Sequence, residues 1–130
     1  MKSAKPFLMF QGDAKAAIDL YQSAFKGFEI LDLTMKADED GSETGEVARA
    51  LIAVAGQEIM VIDSPPAHDF TFTPSTSIFI ECDDADEIDA LAAALAEGGN
   101  VMMPLDNYGF SERFSWVADR FGVSWQLNLS

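Results

Sequence analysis

The residues able to do chemistry are few. The chain has one cysteine, Cys82, and one histidine, His68. A cysteine nucleophile needs a base beside it, and the only imidazole lies in a Pro-rich loop. Cys82 therefore reads as a small buried apolar residue in a strand, and His68 as a solvated loop residue. A lone cysteine also excludes an intrachain disulfide and a cysteine-based zinc cluster. Asp83, Asp84, Asp86 and Glu87 crowd together like a metal site. They also open a helical pattern, and a helix N-terminus favours carboxylates, so we read them as capping residues. Glu81 stands apart from that run. On a cavity wall near Phe10 and Phe79 its carboxylate would have a raised pKa and serve as a general base. Pairing with Arg113 or Lys36 is the structural alternative. Arg113 would either bind an anionic ligand or answer some of the 22 carboxylates. Trp116 and Trp125 pack the core, or one of them lines a pocket as a stacking surface. Tyr108 and Phe110 either close over a ligand or form a turn.

Composition narrows the partners. A net charge of −14 argues against nucleic acid and anionic membranes, because binding phosphate needs clustered Lys and Arg. The chain is 48% hydrophobic with ten Phe among its 130 residues, enough for one packed domain rather than a disordered chain. No apolar run is long enough to span a bilayer. The opening MKSAKPFLMFQGD lacks the apolar stretch and cleavage site of a signal peptide. A cytoplasmic location is the expectation.

Periodicity supplies the elements. Pro6 to Gln11 is short and apolar, a strand, and Gly12-Asp13 caps a helix. Ala17, Leu20, Tyr21, Ala24 and Phe25 recur at helical spacing over Ala14 to Phe25. Lys26-Gly27 closes that helix, with Gly suited to a left-handed C-terminal position. Strands follow at Phe28 to Lys36, Val47 to Ala55 and Glu58 to Asp63. A polar flexible loop is expected over Ala37 to Gly45 and a hairpin turn at Gly56-Gln57. Ser64 to Pro74 reads as a linker. The order then restarts. Ser77 to Cys82 is a strand and Asp83 to Glu97 a helix with Ile88, Leu91, Ala92 and Leu95 on one face. Gly98-Gly99 ends it, and strands follow at Val101 to Leu105, Arg113 to Ala118 and Ser124 to Leu129. Ile18-Asp19 and Ile88-Asp89 lie 70 positions apart, whereas Asp13-Ala14 and Asp84-Ala85 lie 71 apart. With the matching order of elements, this supports an internal duplication. The fold expected is α+β: one domain over 1–130 made of two βαβββ modules, about 5–64 and about 75–130. Each sheet has one face covered by its helix, and the two other faces are expected to enclose a cavity.

The run FLMFQGDAKAAIDLYQSAF, with its strand, turn and helix ending in Tyr-x-x-x-Phe, resembles the opening of vicinal oxygen chelate (glyoxalase/bleomycin-resistance/dioxygenase) proteins. GGNVMMPLDNY followed by FSWVADRFGVSWQLNL resembles the close of their PhnB-like subgroup, often labelled 3-demethylubiquinone-9 3-methyltransferase-like. The most specific element is Asp119-x-x-Gly122-x-x-Trp125-x-Leu127. The resemblance covers nearly the whole chain and implies two modules in a partly open barrel around a central cavity. No Gly-rich loop after a strand supports S-adenosylmethionine binding. Metal-using relatives place His, Glu or Gln ligands on the first and last strands of each module, around an ion that polarises substrate oxygens. Carried over, those positions fall at about Pro6, at about Ser77 and at Gln126. Asp63 or Glu58 is the nearest oxygen donor on the fourth strand. Pro6 has no donor and Ser77 is a poor one. The weak metal candidates are Asp63 and Gln126, and no cofactor is expected unless a divalent ion binds that degenerate set. Modules of this superfamily often pair between chains, which implies a homodimer.

Strand alternation then groups the wall residues. If Gln126 faces the cavity, so do Ser124 and Asn128, while Trp125 and Leu127 face the helix. Ser77 and Glu81 share a side opposite Ile78, Ile80 and Cys82, and Leu8 and Phe10 join the cavity side. The candidate ligand-binding set is Phe10, Ser77, Glu81, Arg113, Ser124 and Gln126. The reading is a small-molecule-binding protein that works without a metal. A metal-dependent glyoxalase- or dioxygenase-type enzyme with a degenerate ligand set is the alternative, and a protein whose cavity is filled by side chains is the third reading.

Overall fold

Each half of the chain runs strand, helix, then three strands. The computed structural model describes residues 1–130 and divides into two units, Met1–Asp69 and Phe70–Ser130. The first holds β1 (Phe7–Phe10), α1 (Ala14–Ala24), β2 (Phe28–Ala37), β3 (Glu43–Val54) and β4 (Gln57–Asp63). The second holds β5 (Ile78–Glu81), α2 (Ala85–Ala96), β6 (Asn100–Asp106), β7 (Arg113–Ala118) and β8 (Ser124–Leu129). Their four-stranded sheets have the same layout, β1-β4-β3-β2 and β5-β8-β7-β6. In each, the first strand is parallel to the last and the other pairs are antiparallel. Neither mixed sheet closes into a barrel.

In the first unit α1 buries Ala14, Ala17, Ile18, Leu20 and Tyr21 on the side of the sheet that carries Ala50, Ile52, Ile59 and Val61, all fully buried. The parallel register pairs Leu8 with Val61 and Phe10 with Asp63. Residues paired across a ladder point the same way, so Leu8 and Phe10 belong to the helix side. This corrects the expectation that they share the opposite face. That face carries Phe7, Met9, Leu51, Met60 and Ile62 instead.

The start of α1 is also held differently from expectation. Asp13 makes no side-chain cap, its backbone at φ −104° and ψ 6° lying outside the extended geometry of a capping residue. Asp63, buried at the end of β4, does the work from a distance. Its Oδ1 accepts from Gly12 N at 2.8 Å and Ala14 N at 3.0 Å, and its Oδ2 accepts from Val47 N at 2.8 Å. At its other end α1 closes on an extended Phe25, whose N–H donates to Tyr21 O at 3.0 Å. Gly27 takes no left-handed conformation, and its carbonyl accepts from Ala55 N. The β3–β4 turn falls on Ala55 and Gly56, at φ 49° and 84°, one residue earlier than expected. Two consecutive left-handed residues make the tight turn whose twist suits a hairpin. The loop expected over Ala37 to Gly45 shrinks because β3 begins at Glu43. Asp38 N donates to Ser42 O, and Asp40 Oδ1 accepts from Ser42 N.

In the second unit Ile88, Leu91, Ala92 and Leu95 of α2 pack toward Trp125, Leu127 and Val117. The acidic run caps the helix. Asp84 Oδ1 accepts from Glu87 N and Glu87 Oε1 accepts from Asp83 N, both at 2.8 Å, a reciprocal capping arrangement. The β7–β8 turn shows what the Asp-x-x-Gly-x-x-Trp pattern is for. Asp119 Oδ1 accepts from Phe121 N at 2.9 Å and Val123 N at 3.1 Å. Its Oδ2 accepts from Trp125 Nε1 at 2.9 Å. Gly122 turns the chain at φ 96°. Gly99 is required for space, since a Cβ there would lie 2.2 Å from Ala118 O.

Two stability tests follow from this packing. Asp63→Ala leaves buried backbone N–H groups without an acceptor and should lower the unfolding free energy by about 3 kcal/mol. Gly99→Ala forces the β6–β7 backbone apart and should cost about 2 kcal/mol. Urea denaturation checks both, and an unchanged midpoint in either variant contradicts the packing described.

Candidate functional site

The β5–β8 ladder decides what stands on the side of the second sheet away from α2. Ile78, Ile80, Trp125 and Leu127 alternate toward the helix. Phe79 pairs with Gln126 and Glu81 with Asn128, and these point the other way with Ser77 and Ser124. The antiparallel β7–β8 register adds Trp116, opposite Gln126, and Phe114, opposite Asn128. Of the sequence candidates, the fold gathers Ser77, Glu81, Ser124 and Gln126 on this one face.

These side chains are bonded to one another. Ser77 and Ser124 share a 2.6 Å hydroxyl hydrogen bond. Trp116 Nε1 donates to Ser124 Oγ at 2.8 Å, and Gln126 Nε2 donates to Ser77 Oγ at 3.4 Å. Toward the far end, Asn128 Nδ2 donates to Glu81 Oε1 at 2.9 Å. Ser111 Oγ donates to Asn128 Oδ1, and Ser130 N and Oγ each donate to Glu81 Oε2 at 3.1 Å. Ser124 and Asn128 are buried, whereas Phe79 is 57% exposed. Tyr108 and Phe110 stack with centroids 6.1 Å apart, and Phe110 meets the Phe114 ring edge-on at 5.2 Å. Tyr108 OH donates to Pro104 O.

Glu81 departs from its expected chemistry. Donation from Asn128, joined by the Ser130 N–H and hydroxyl, outweighs desolvation and holds its carboxyl below the ordinary glutamate range. The side chain is exposed, and the hydrogen bonds outweigh desolvation, so its pKa moves away from that of a neutral-pH general base. It is an ionised acceptor, and it pairs with neither Arg113 nor Lys36. Arg113 lies on the helix side, where its guanidinium bonds Asp89 of α2. Lys36 pairs with Glu46 at 3.3 Å. Phe10 is buried in the other unit at 3% exposure. Asp63 spends both oxygens on backbone N–H groups. Glu58 lies 3.7 Å from Lys5 Nζ, and Pro6 contributes its carbonyl to Met60 N. Cys82 is buried and its thiol is pushed up to about 11, by burial first and then by Glu87, Glu81 and Asp83, which leaves no thiolate for nucleophilic work. His68 is exposed, and its backbone N donates to Gln11 Oε1 at 3.3 Å. No group of three or more His, Cys, Asp or Glu side chains is placed to hold a metal ion.

Phe114 is the member that the sequence did not single out; Phe79 entered only as a neighbour of Glu81, and Trp116 only as one of two tryptophans that pack the core or line a pocket. Phe79 was accessible by alternation, lying between Ser77 and Glu81. Trp116 and Phe114 depend on the hairpin register across the Asp119 turn, which periodicity does not supply.

Glu81 carries a prediction with a definite sign. Its folded-state value is lowered, so the stability it contributes is present above the ordinary glutamate value and is lost as pH falls through the folded one. Carboxyl carbon shifts in an NMR titration should show Glu81 titrating below the ordinary glutamate value, and Asn128→Ala should move its midpoint upward. A midpoint that Asn128→Ala leaves in place would remove Asn128 as the cause.

Comparison with known proteins places this geometry in a family. A family profile described as 3-demethylubiquinone-9 3-methyltransferase matches residues 2–128. The PhnB protein of Bacillus cereus is 43% identical, with 99% of this chain and 100% of that one covered and a TM-score of 0.90. Protein YjdN of Escherichia coli is 24% identical over 137 residues, covering 95% of this chain and 92% of YjdN. The fosfomycin resistance protein FosX of Listeria monocytogenes, solved with manganese(II) and a dihydroxypropylphosphonic acid, shares the fold. Its identity is 15%, its TM-score 0.62, and the coverage 98% of this chain and 92% of that one. The matched profile spans both units, including the Asp119 turn and the β5–β8 face, and the chain belongs to the PhnB-like 3-demethylubiquinone-9 3-methyltransferase family.

Proposed function

We propose that this chain binds a small organic molecule on the face of the second sheet away from α2, and that it does so without a resident metal. The observation that carries the reading is Phe79. A phenyl ring 57% exposed stands in a strand between Ser77 and Glu81, beside hydrogen-bonded polar groups that fix its surroundings. Binding sites combine apolar surface with a few placed polar groups in this way, and covering such a ring contributes up to about 2 kcal/mol. The donor set supports the metal-free part. Pro6 offers no side-chain ligand, Asp63 is engaged by Gly12, Ala14 and Val47, and Ser77 is engaged by Ser124 and Gln126. What remains does not fit a divalent ion. The protein has no helix long and apolar enough to cross a membrane, and we place it in the cytoplasm as a homodimer.

The test has two parts, done on the purified chain prepared without chelator. Elemental analysis should find well under one metal per chain. A thermal-shift screen of small organic molecules should yield ligands that perturb the NMR signals of Phe79, Trp116 and Gln126. At a ligand concentration of 100 times Kd, stabilisation should reach about 2.7 kcal/mol, or roughly 10 °C in Tm. A stoichiometric metal whose removal abolishes ligand binding would replace this reading with the metal-dependent enzyme, for which FosX, solved with manganese(II), supplies the fold precedent. Sedimentation as a monomer would remove the dimer.

A further inference from the structure

We infer that the ligand of the β5–β8 face is an organic cation, a protonated or quaternary amine carried on an apolar body, which sets its ammonium group between Glu81 and the Phe79 ring. The inference rests on the binding reading above and goes on to name the chemical class.

From Phe70 to Ser130 there are ten Asp and Glu residues and two cations, Arg113 and Arg120. Neither cation serves this face. Arg113 is bonded to Asp89 on the helix side, and the Arg120 guanidinium sits 4.9 Å over the Phe121 ring in the β7–β8 turn. A phosphonate, phosphate or carboxylate laid on the face would find neither arginine of this unit there.

Most of the hydrogen-bond donors are spent as well. Trp116 Nε1 is given to Ser124, Asn128 Nδ2 to Glu81 and Ser130, and Ser111 Oγ to Asn128. Gln126 uses its Nε2 on Ser77, which leaves its Oε1 as an acceptor. The groups offered to a ligand are therefore the Glu81 carboxylate, the Gln126 amide with its carbonyl oxygen and one remaining N–H, and an exposed ring, and the only full charge among them is negative. A carboxylate two residues along a strand from an aromatic on the same side presents a charge and the negative face of a π-system together, and that pair attracts a cation. The same donors from Asn128 and Ser130 keep Glu81 ionised, so the charge persists at neutral pH. Phe110, 63% exposed and packed on Phe114 at the Asn128 end, supplies a second apolar surface for the ligand's body.

The experiment is isothermal titration of the full chain with three matched probes: benzyltrimethylammonium, benzyl alcohol and phenylacetate. The cation should bind at least roughly tenfold tighter than the other two. Glu81→Gln should weaken it roughly tenfold and Phe79→Leu roughly fivefold. Glu81→Gln keeps an acceptor for Asn128, and Phe79 is exposed, so both variants should melt close to the parent. Rising salt should weaken the cation selectively. If the neutral or anionic probe binds this face as well as the cation does, or if Glu81→Gln leaves the cation's affinity intact, the cation assignment falls while the face remains a binding site. If none of the three probes perturbs the signals of Phe79 and Trp116, both readings fall.

Discussion

A buried carboxylate that lacks a cationic partner is tolerable only when backbone donors surround it, and Asp63 is held on those terms. Its oxygens accept from Gly12, Ala14 and Val47. One side chain thereby joins the end of β4, the turn after β1 and the first turn of α1 to β3. The helix cannot shift along the sheet without breaking these bonds. Asp119 plays the same part in the second unit, where it holds the β7–β8 turn and the indole of Trp125. That turn sets the register of β8, and the register of β8 determines which side chains stand on the face away from α2. The site thus depends on a carboxylate that never touches it.

The two units repeat an architecture but not a surface. Phe10 with Asp63 and Glu81 with Asn128 are the closing pairs of the two parallel ladders, and each helix begins four residues after the first member, at Ala14 and Ala85. Yet the first pair is buried on the helix side and the second stands on the opposite face. A one-residue difference in a strand exchanges its two sides. The first unit therefore turns Phe7, Met9, Met60 and Ile62 away from its helix, whereas the second turns Ser77, Phe79, Glu81, Gln126 and Asn128. The two scaffolds share one layout, and only the second carries this polar network.

That network is closed upon itself. Trp116, Ser124, Ser77 and Gln126 form one chain of hydrogen bonds, and Ser111, Asn128, Glu81 and Ser130 form another. Side chains locked in this way present a fixed pattern, and a surface fixed in advance is one on which binding costs less entropy. The same closure turns Glu81 from a potential proton acceptor into a fixed charge, because donors that favour the ionised form lower the affinity for a proton.

The sequence by itself determined the elements and their order. Both helices, the eight strands and the restart after the linker follow from periodicity and turn residues, and β7 and β8 keep their expected bounds of Arg113–Ala118 and Ser124–Leu129. Alternation sufficed to put Ser77 and Glu81 on one side of β5, and Ser124, Gln126 and Asn128 on one side of β8, because a strand's period of two is local. The motif around Asp119 marked the family. The tertiary structure alone decided the rest. Phe10 was assigned by counting, but its side is fixed by the pairing of β1 with β4, which are far apart in sequence. Asp63 looked like a metal donor, and only the approach of Gly12, Ala14 and Val47 shows it as a clip. Arg113 and Glu81 looked like partners until α2 brought Asp89 to the one and β8 brought Asn128 to the other. A local period can say which residues share a face. Which charges meet depends on contacts between elements distant in the chain, and periodicity carries no record of those.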